Sequence, residues 1–217
     1  MSDRRDRTTR RLLACGILAP GVAVGSFAVA AARRPDYNHV ADTISKLSAQ
    51  GVPERWLWTS GLVAYAGLML LGAAGLRRRF EMSPAGRIVG NAIGMHAVLM
   101  IGVAVFRDDL RPGGFFTLEG ALHDILSGMA FSALVVAMVA TVALANVDRA
   151  MRSLRTATTI VAAAMTSVGI AFLFTDPDVQ GIPQRVFIAL AAVWIVLLAL
   201  RSMKTSAPGE AMVGDDI

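Results

Sequence analysis

Apolar positions fall into six long runs broken by short polar stretches: about residues 12–32, 56–76, 88–106, 122–145, 156–174 and 186–200. A hydrocarbon core about 30 Å thick is crossed by roughly 20 helical residues. Each run is near that length, and lipid offers no partners to backbone groups, so each is predicted to cross as a helix. The pattern specifies an all-α polytopic membrane protein, a bundle of six transmembrane helices. A basic segment 1–11 precedes the six-helix domain 12–201, and a tail 202–217, expected to be disordered, follows it. Pro20 lies inside the first run, where it lacks an amide proton. Gly21 and Gly25, and Gly90 and Gly94, are four apart, a small-residue spacing that lets helix backbones approach.

Composition agrees with this pattern. Of 217 residues, 55% are hydrophobic and 17% charged, against about 25% charged in a typical soluble domain. The net charge of +5 comes from short basic clusters between the runs, with no nucleic-acid-binding module. With the N-terminus inside, 14 of the 21 basic residues fall on the inner side. That bias predicts both termini in the cytoplasm and a multi-pass protein of the plasma (inner) membrane. Trp56 and Trp58 stand where the second helix meets the outer interface. The first run, with Arg10-Arg11 before it and Ala28-Val29-Ala30 near its end, has some features of a signal peptide. Its length and the five runs behind it favour an uncleaved helix. Cys15 is the sole cysteine, so no internal disulfide or multi-thiolate metal site forms. No cofactor and no metal are expected, and no oligomeric state is specified.

The inner loops are basic and without motif; the candidate chemistry lies on the outer side. Glu119, His123 and Ser127 are spaced by four and form one stripe descending into the fourth helix. A polar stripe belongs against the bundle interior or a cavity, either as a packing stripe or as a site. Asp124 stands beside it. Asp108 and Asp109 follow the third run, Asp176 follows the fifth, and Arg185 opens the sixth. Arg185 is expected to pair with Asp108, Asp109 or Asp124, or to hold a lipid phosphate through two parallel hydrogen bonds. Asp42 or Ser45 is expected to cap a short surface helix in the first loop. His96 sits midway along the third run, as a proton relay or as a buried packing residue.

The segments Tyr37–Leu47 (YNHVADTISKL), Phe106–Pro112 (FRDDLRP), His123 with Ser127, and Gly181–Arg185 (GIPQR) resemble a bacterial membrane family catalogued as a domain of unknown function, number 998. The likeness covers about residues 12–201 and implies a six-helix membrane fold with no settled activity. Membrane hydrolases similar to alkaline ceramidases are a second comparison, but those carry an HxxxH pair and this chain has only His39, His96 and His123.

These observations predict an outward-facing polar pocket lined by His123, Ser127, Asp124, Asp108, Asp109 and Arg185, with Asp42, Ser45 and Asp176 also binding the ligand and the first loop as lid. Its expected ligand is a membrane lipid headgroup or a small solute. One alternative is a membrane hydrolase of lipid esters or amides, with His123, Asp124 and Ser127 catalytic. Another is a proton-coupled carrier that uses His96.

Overall fold

A computed structural model describes residues 2–110 and 117–204. Its helices are α1 (Ser2–Ala32), α2 (Trp56–Arg79), α3 (Pro84–Val105), α4 (Leu118–Val147), α5 (Arg155–Phe172) and α6 (Gly181–Lys204), with short 3-10 turns at Ile44–Ser48, Arg152–Leu154 and Pro177–Val179. All six helices are long and apolar enough to cross a membrane, and the chain is a multi-pass membrane protein. Each helix packs on the next, and α6 returns to α1 to close the ring. Six crossings bring both described ends to one face, here the terminal face. The opposite face, here the cap, carries the segments after α1, α3 and α5. Arg111 and Pro112 of the third-helix exit, and residues 205–217 of the expected disordered tail, lie outside the described residues.

Every run lies within a helix apart from the last one or two residues of the third and fifth, and most helices extend past their runs. The largest extension is at α1, which starts at Ser2 instead of Leu12. The arginine-rich segment holds no Gly or Pro, so the hydrogen-bond ladder continues beyond the apolar part. Thr8 and Thr9 donate to the carbonyls of Arg4 and Arg5. Arg5 pairs with Glu81 at 2.5 Å, tying this arm to the α2–α3 turn. Ser83 begins α3 by accepting from the Gly86 amide, with Pro84 at the first helical position.

The α1–α2 crossing is close because glycine meets glycine. A Cβ added to Gly72 would stand 3.1 Å from the Gly16 backbone, and one on Gly75 would stand 2.9 Å from the Leu13 nitrogen. The Gly21/Gly25 pair plays no such part, since a Cβ on either meets nothing within 4 Å. Gly90 and Gly94 do face a neighbour, across from Ala73 on α2. Between the helices lies one polar chain. Tyr65 of α2 donates to His96 Nε2 at 2.8 Å, and His96 Nδ1 donates to the Ala130 carbonyl of α4 at 2.9 Å. A carbonyl only accepts, so Nδ1 carries the proton and Nε2 is the acceptor. At the other side of the ring, Trp194 of α6 donates to Thr158 of α5 at 3.2 Å.

Candidate functional site

The first cap loop is built on its own short-range polar bonds. Asn38 Oδ1 accepts from the Val40 and Ala41 amides, and Asp42 Oδ2 accepts from the Asn38 amide at 2.8 Å. This local turn, with Lys46 on the other Asp42 oxygen, replaces the expected helix cap. The 3-10 turn Ile44–Ser48 has Thr43 at its start and no side-chain cap. Neither Asp42 nor Ser45 is free to provide one, because Ser45 donates to Asp108 Oδ2 at 2.7 Å. Ile44 and Leu47 are buried and hold the turn on the bundle.

That loop docks on the N-terminus of α6. The Gly181 amide donates to the Val40 carbonyl at 2.9 Å, and Gln184 Oε1 accepts from the Ile44 amide at 2.5 Å. Arg185 donates to the Asp42 carbonyl at 3.0 Å, to the Gly181 carbonyl at 2.7 Å and to the Tyr37 hydroxyl at 2.6 Å. The guanidinium also stacks within 5.4 Å of the Phe27 ring and 5.6 Å of the Tyr37 ring. The expected ion pair with Asp108, Asp109 or Asp124 is absent among the described residues. The acceptors are carbonyls and a phenol, because Arg185 emerges beside the first loop and not beside the α3–α4 segment. Its buried Nε has no partner. Gly181 is required here: a Cβ would meet the Asp42 and Val40 carbonyl oxygens at 2.6 and 2.7 Å. Burial pushes the Tyr37 phenol up to about 12, against the opposing pull of Arg185.

The loop also binds the other side of the cap. The Gln50 amide donates to the Asp108 carbonyl at 3.0 Å, and Gln50 Nε2 donates to Asp109 Oδ1 and Thr117 Oγ1. Asp109 accepts from the Thr117 amide and hydroxyl, while Thr117 caps α4 by accepting from Gly120. Asp108 and Asp109 are therefore spent on positioning the loop and the start of α4. Glu119 turns outward to Arg107, which it grips through Nε and Nη2 and through the backbone amide.

His123 is buried, with 3% of its surface exposed. Its Nδ1 donates to the Phe106 carbonyl at 2.9 Å, so Nε2 is the acceptor whenever the ring carries a single proton. Asp124 is exposed and within electrostatic reach of His123, Asp108 and Asp109; Ser127 is half-buried. The stripe Glu119–His123–Ser127 is thus divided among an ion pair, a backbone carbonyl and a partly open hydroxyl. Asp176 stands apart, accepting from the Asp178 amide at the turn before α6. His39 packs edge-on against Phe27 and Tyr37. Among the described residues no three His, Cys, Asp or Glu converge as metal ligands would.

A groove of about 720 Å³ opens on the cap where α1 ends and α2 begins. Ala30, Leu47, Val52, Leu57 and Leu110 form apolar wall, and Arg33, Arg34, Asp36 and Glu54 carry its charge. None of the six residues expected to line a pocket is among its lining residues. Arg33 grips Glu54 through Nε and Nη2, both at 3.2 Å. Arg34 holds Asp36 at 3.3 Å and reaches back to the Lys46 carbonyl at 2.6 Å. Hydrogen bonding to Arg34 keeps the Asp36 carboxyl below its ordinary range, and Glu54 raises Arg33 in the same way. Gly51 at φ 77° and Glu54 at φ 53° are the two residues described with positive φ, and both line this groove. A non-glycine residue held there costs on the order of 1–3 kcal/mol.

A protein family described as "Protein of unknown function (DUF998)" matches residues 17–201. The chain belongs to DUF998. No curated protein and no solved structure matches it.

In this DUF998 member, the sequence segments that carry the resemblance meet in space. YNHVADTISKL supplies Tyr37, Asn38, Asp42 and Ser45; GIPQR supplies Gly181, Gln184 and Arg185; the third-helix exit supplies Asp108 and Asp109. Together they form the cap's hydrogen-bond framework. Sequence reasoning missed Gln50, Thr117 and Gln184, which bond across more than 50 residues of chain, Gln50 to Thr117 and Asp109 and Gln184 to Ile44. Arg33, Arg34 and Glu54 stand in no motif of the sequence. The Gly-Val-Pro-Glu turn before Trp56 was the available signal, because glycine and proline together mark a bend.

Proposed function

We propose that this DUF998 protein lies in the plasma membrane with both termini cytoplasmic and binds a lipid headgroup or a small solute at its outer face, in the cap groove. The observation that carries the reading is the groove itself. Its volume falls within the roughly 300–1,000 Å³ of small-molecule sites, and it combines apolar wall with a few placed charges, as such sites do. Its position supports a lipid. Trp56, 64% exposed, stands beside Leu57 at the edge, where indole rings mark the headgroup level. Apolar wall residues suit a glycerol and the first methylenes of a chain, and the arginine forks suit a phosphate.

The test is native mass spectrometry of the purified protein after stepwise delipidation. A retained adduct that the Arg33→Ala, Arg34→Ala double variant loses supports the reading. A wild-type protein that sheds everything as readily as the double variant refutes it.

A second reading, a membrane hydrolase, draws on one observation. The Phe106 carbonyl fixes the His123 tautomer so that Nε2 can accept a proton, and Asp124 and Ser127 lie on the same stretch of α4. Turnover of a lipid ester or amide that is abolished in His123→Ala would establish it; equal background rates would remove it. The carrier reading draws no such support, because both His96 nitrogens are engaged by neutral groups.

A further inference from the structure

We infer that the cap groove selects a phospholipid whose headgroup carries both a phosphate and a primary ammonium, phosphatidylethanolamine being the simplest. This rests on the groove-binding function proposed above and names the ligand class.

The argument is one of charge and hydrogen-bond capacity. Two cations and two anions line the groove, so its formal charge is zero. A headgroup with net negative charge would set its phosphate beside the arginines but add an uncompensated charge near Glu54 and Asp36. A zwitterion satisfies both signs. Arg33 commits Nε and Nη2 to Glu54 and keeps the N–H donors of Nη1 free among the described residues. Each carboxylate has about four lone-pair sites, more than its arginine uses. A headgroup can therefore lay its phosphate on the spare guanidinium donors and its ammonium on the spare carboxylate lone pairs without breaking either pair. A choline headgroup has the same net charge but no N–H to donate, so it leaves the carboxylate side unpaired.

Three further observations bear on the choice. Glu54 is the non-glycine residue held at positive φ among the described residues, and its carboxylate meets Arg33. The Arg33–Glu54 pair is open to an incoming group, with side chains 65% and 43% exposed. Arg34, in contrast, is 17% exposed and fixed from behind by the Lys46 carbonyl, so one cation is held in place before the ligand arrives. The groove thus offers one prearranged cation and one accessible ion pair.

The test offers the full-length protein in mild detergent equal amounts of phosphatidylethanolamine, phosphatidylcholine and phosphatidylglycerol with identical acyl chains, and reads bound lipid by native mass spectrometry. Free phosphoethanolamine is added as a competitor in a separate arm. The expected result is retention of phosphatidylethanolamine over the other two by roughly tenfold, the worth of a charge-assisted hydrogen bond. Glu54→Gln and, independently, Asp36→Asn are expected to bring phosphatidylethanolamine down toward phosphatidylcholine while thermal unfolding shows each variant folded. Equal retention of the ethanolamine and choline lipids, or preference for phosphatidylglycerol, overturns the inference and leaves lipid binding standing. Loss of all three lipids overturns both. Full displacement by free phosphoethanolamine at equal concentration overturns the lipid assignment in favour of a solute.

Discussion

Arg185 carries a positive charge that no carboxylate neutralises among the described residues. Two carbonyls, a phenol and two ring faces hold it. Such a setting depends on a flat, multi-donor cation, which an ammonium does not reproduce. Arg185→Lys is expected to lower stability by about 1–3 kcal/mol, read as an earlier thermal transition in detergent. Tyr37 provides a second check at this scale. Burial raises its phenol from 10.0 to about 12, so the unfolded chain gives up this proton first. The corresponding stability is complete below about pH 10 and is lost as pH rises through about 12. In Tyr65→Phe, where Tyr37 is the remaining tyrosine, ultraviolet titration should show phenolate forming near 12; ionisation near 10 would refute its burial. The residues of this cluster were legible as important from sequence. Their partners were not, because a backbone carbonyl leaves no mark in the identity of its residue.

Among the elements, the glycines separate real from apparent contacts. Gly72 on α2 meets Gly16 on α1, whereas Gly25 on α1 meets nothing within 4 Å. Gly72→Leu is expected to force the α1–α2 crossing apart and cost about 1–3 kcal/mol, while Gly25→Leu should leave the unfolding temperature nearly unchanged. Comparable losses in the two variants would contradict the crossing. Small-residue spacing alone could not make this distinction, because it records which helices are able to approach and not which face turns inward. Helix number was legible for a firmer reason: membrane thickness sets the length of an apolar run, and five of the six runs met it, the shorter sixth being completed by the ends of α6. Helix ends were less so, as at α1, where a basic arm extends the helix with no apolar signal. The polar link from Tyr65 through His96 to Ala130 joins α2, α3 and α4, and His96 is 2% exposed. Removing the Tyr65 hydroxyl leaves a buried acceptor unpaired, so Tyr65→Phe should destabilise by about 1–3 kcal/mol. A change much below that range would argue for a softer contact.

For the whole molecule, the proposed orientation places the cap outside. Introduced thiols read this directly in a Cys15→Ala background. Asp176→Cys, on the cap, should react with a membrane-impermeant maleimide on intact cells; Lys204→Cys, on the terminal face, should react only after lysis. The opposite pattern would invert the protein and move the groove to the cytoplasm. The groove itself was not legible in the sequence, because its charges stand at the two ends of one connecting segment, just after α1 and just before α2. Their pairing appears only when the connecting segment folds back on itself through Gly51 and Glu54.

The first cap loop contacts α6 across about 140 residues of chain, with Ile44 meeting Gln184 and Tyr37 meeting Arg185. During synthesis this loop is made long before its binding site on α6. The ribosome must complete α6 before this edge of the loop can settle, so early intermediates display Tyr37–Ile44 without its α6 partners. A nascent chain halted after α4 would therefore be cut by an added protease within that stretch, and the finished protein would resist. The closing step of biogenesis is then the seating of an early segment on the last helix to enter the bilayer.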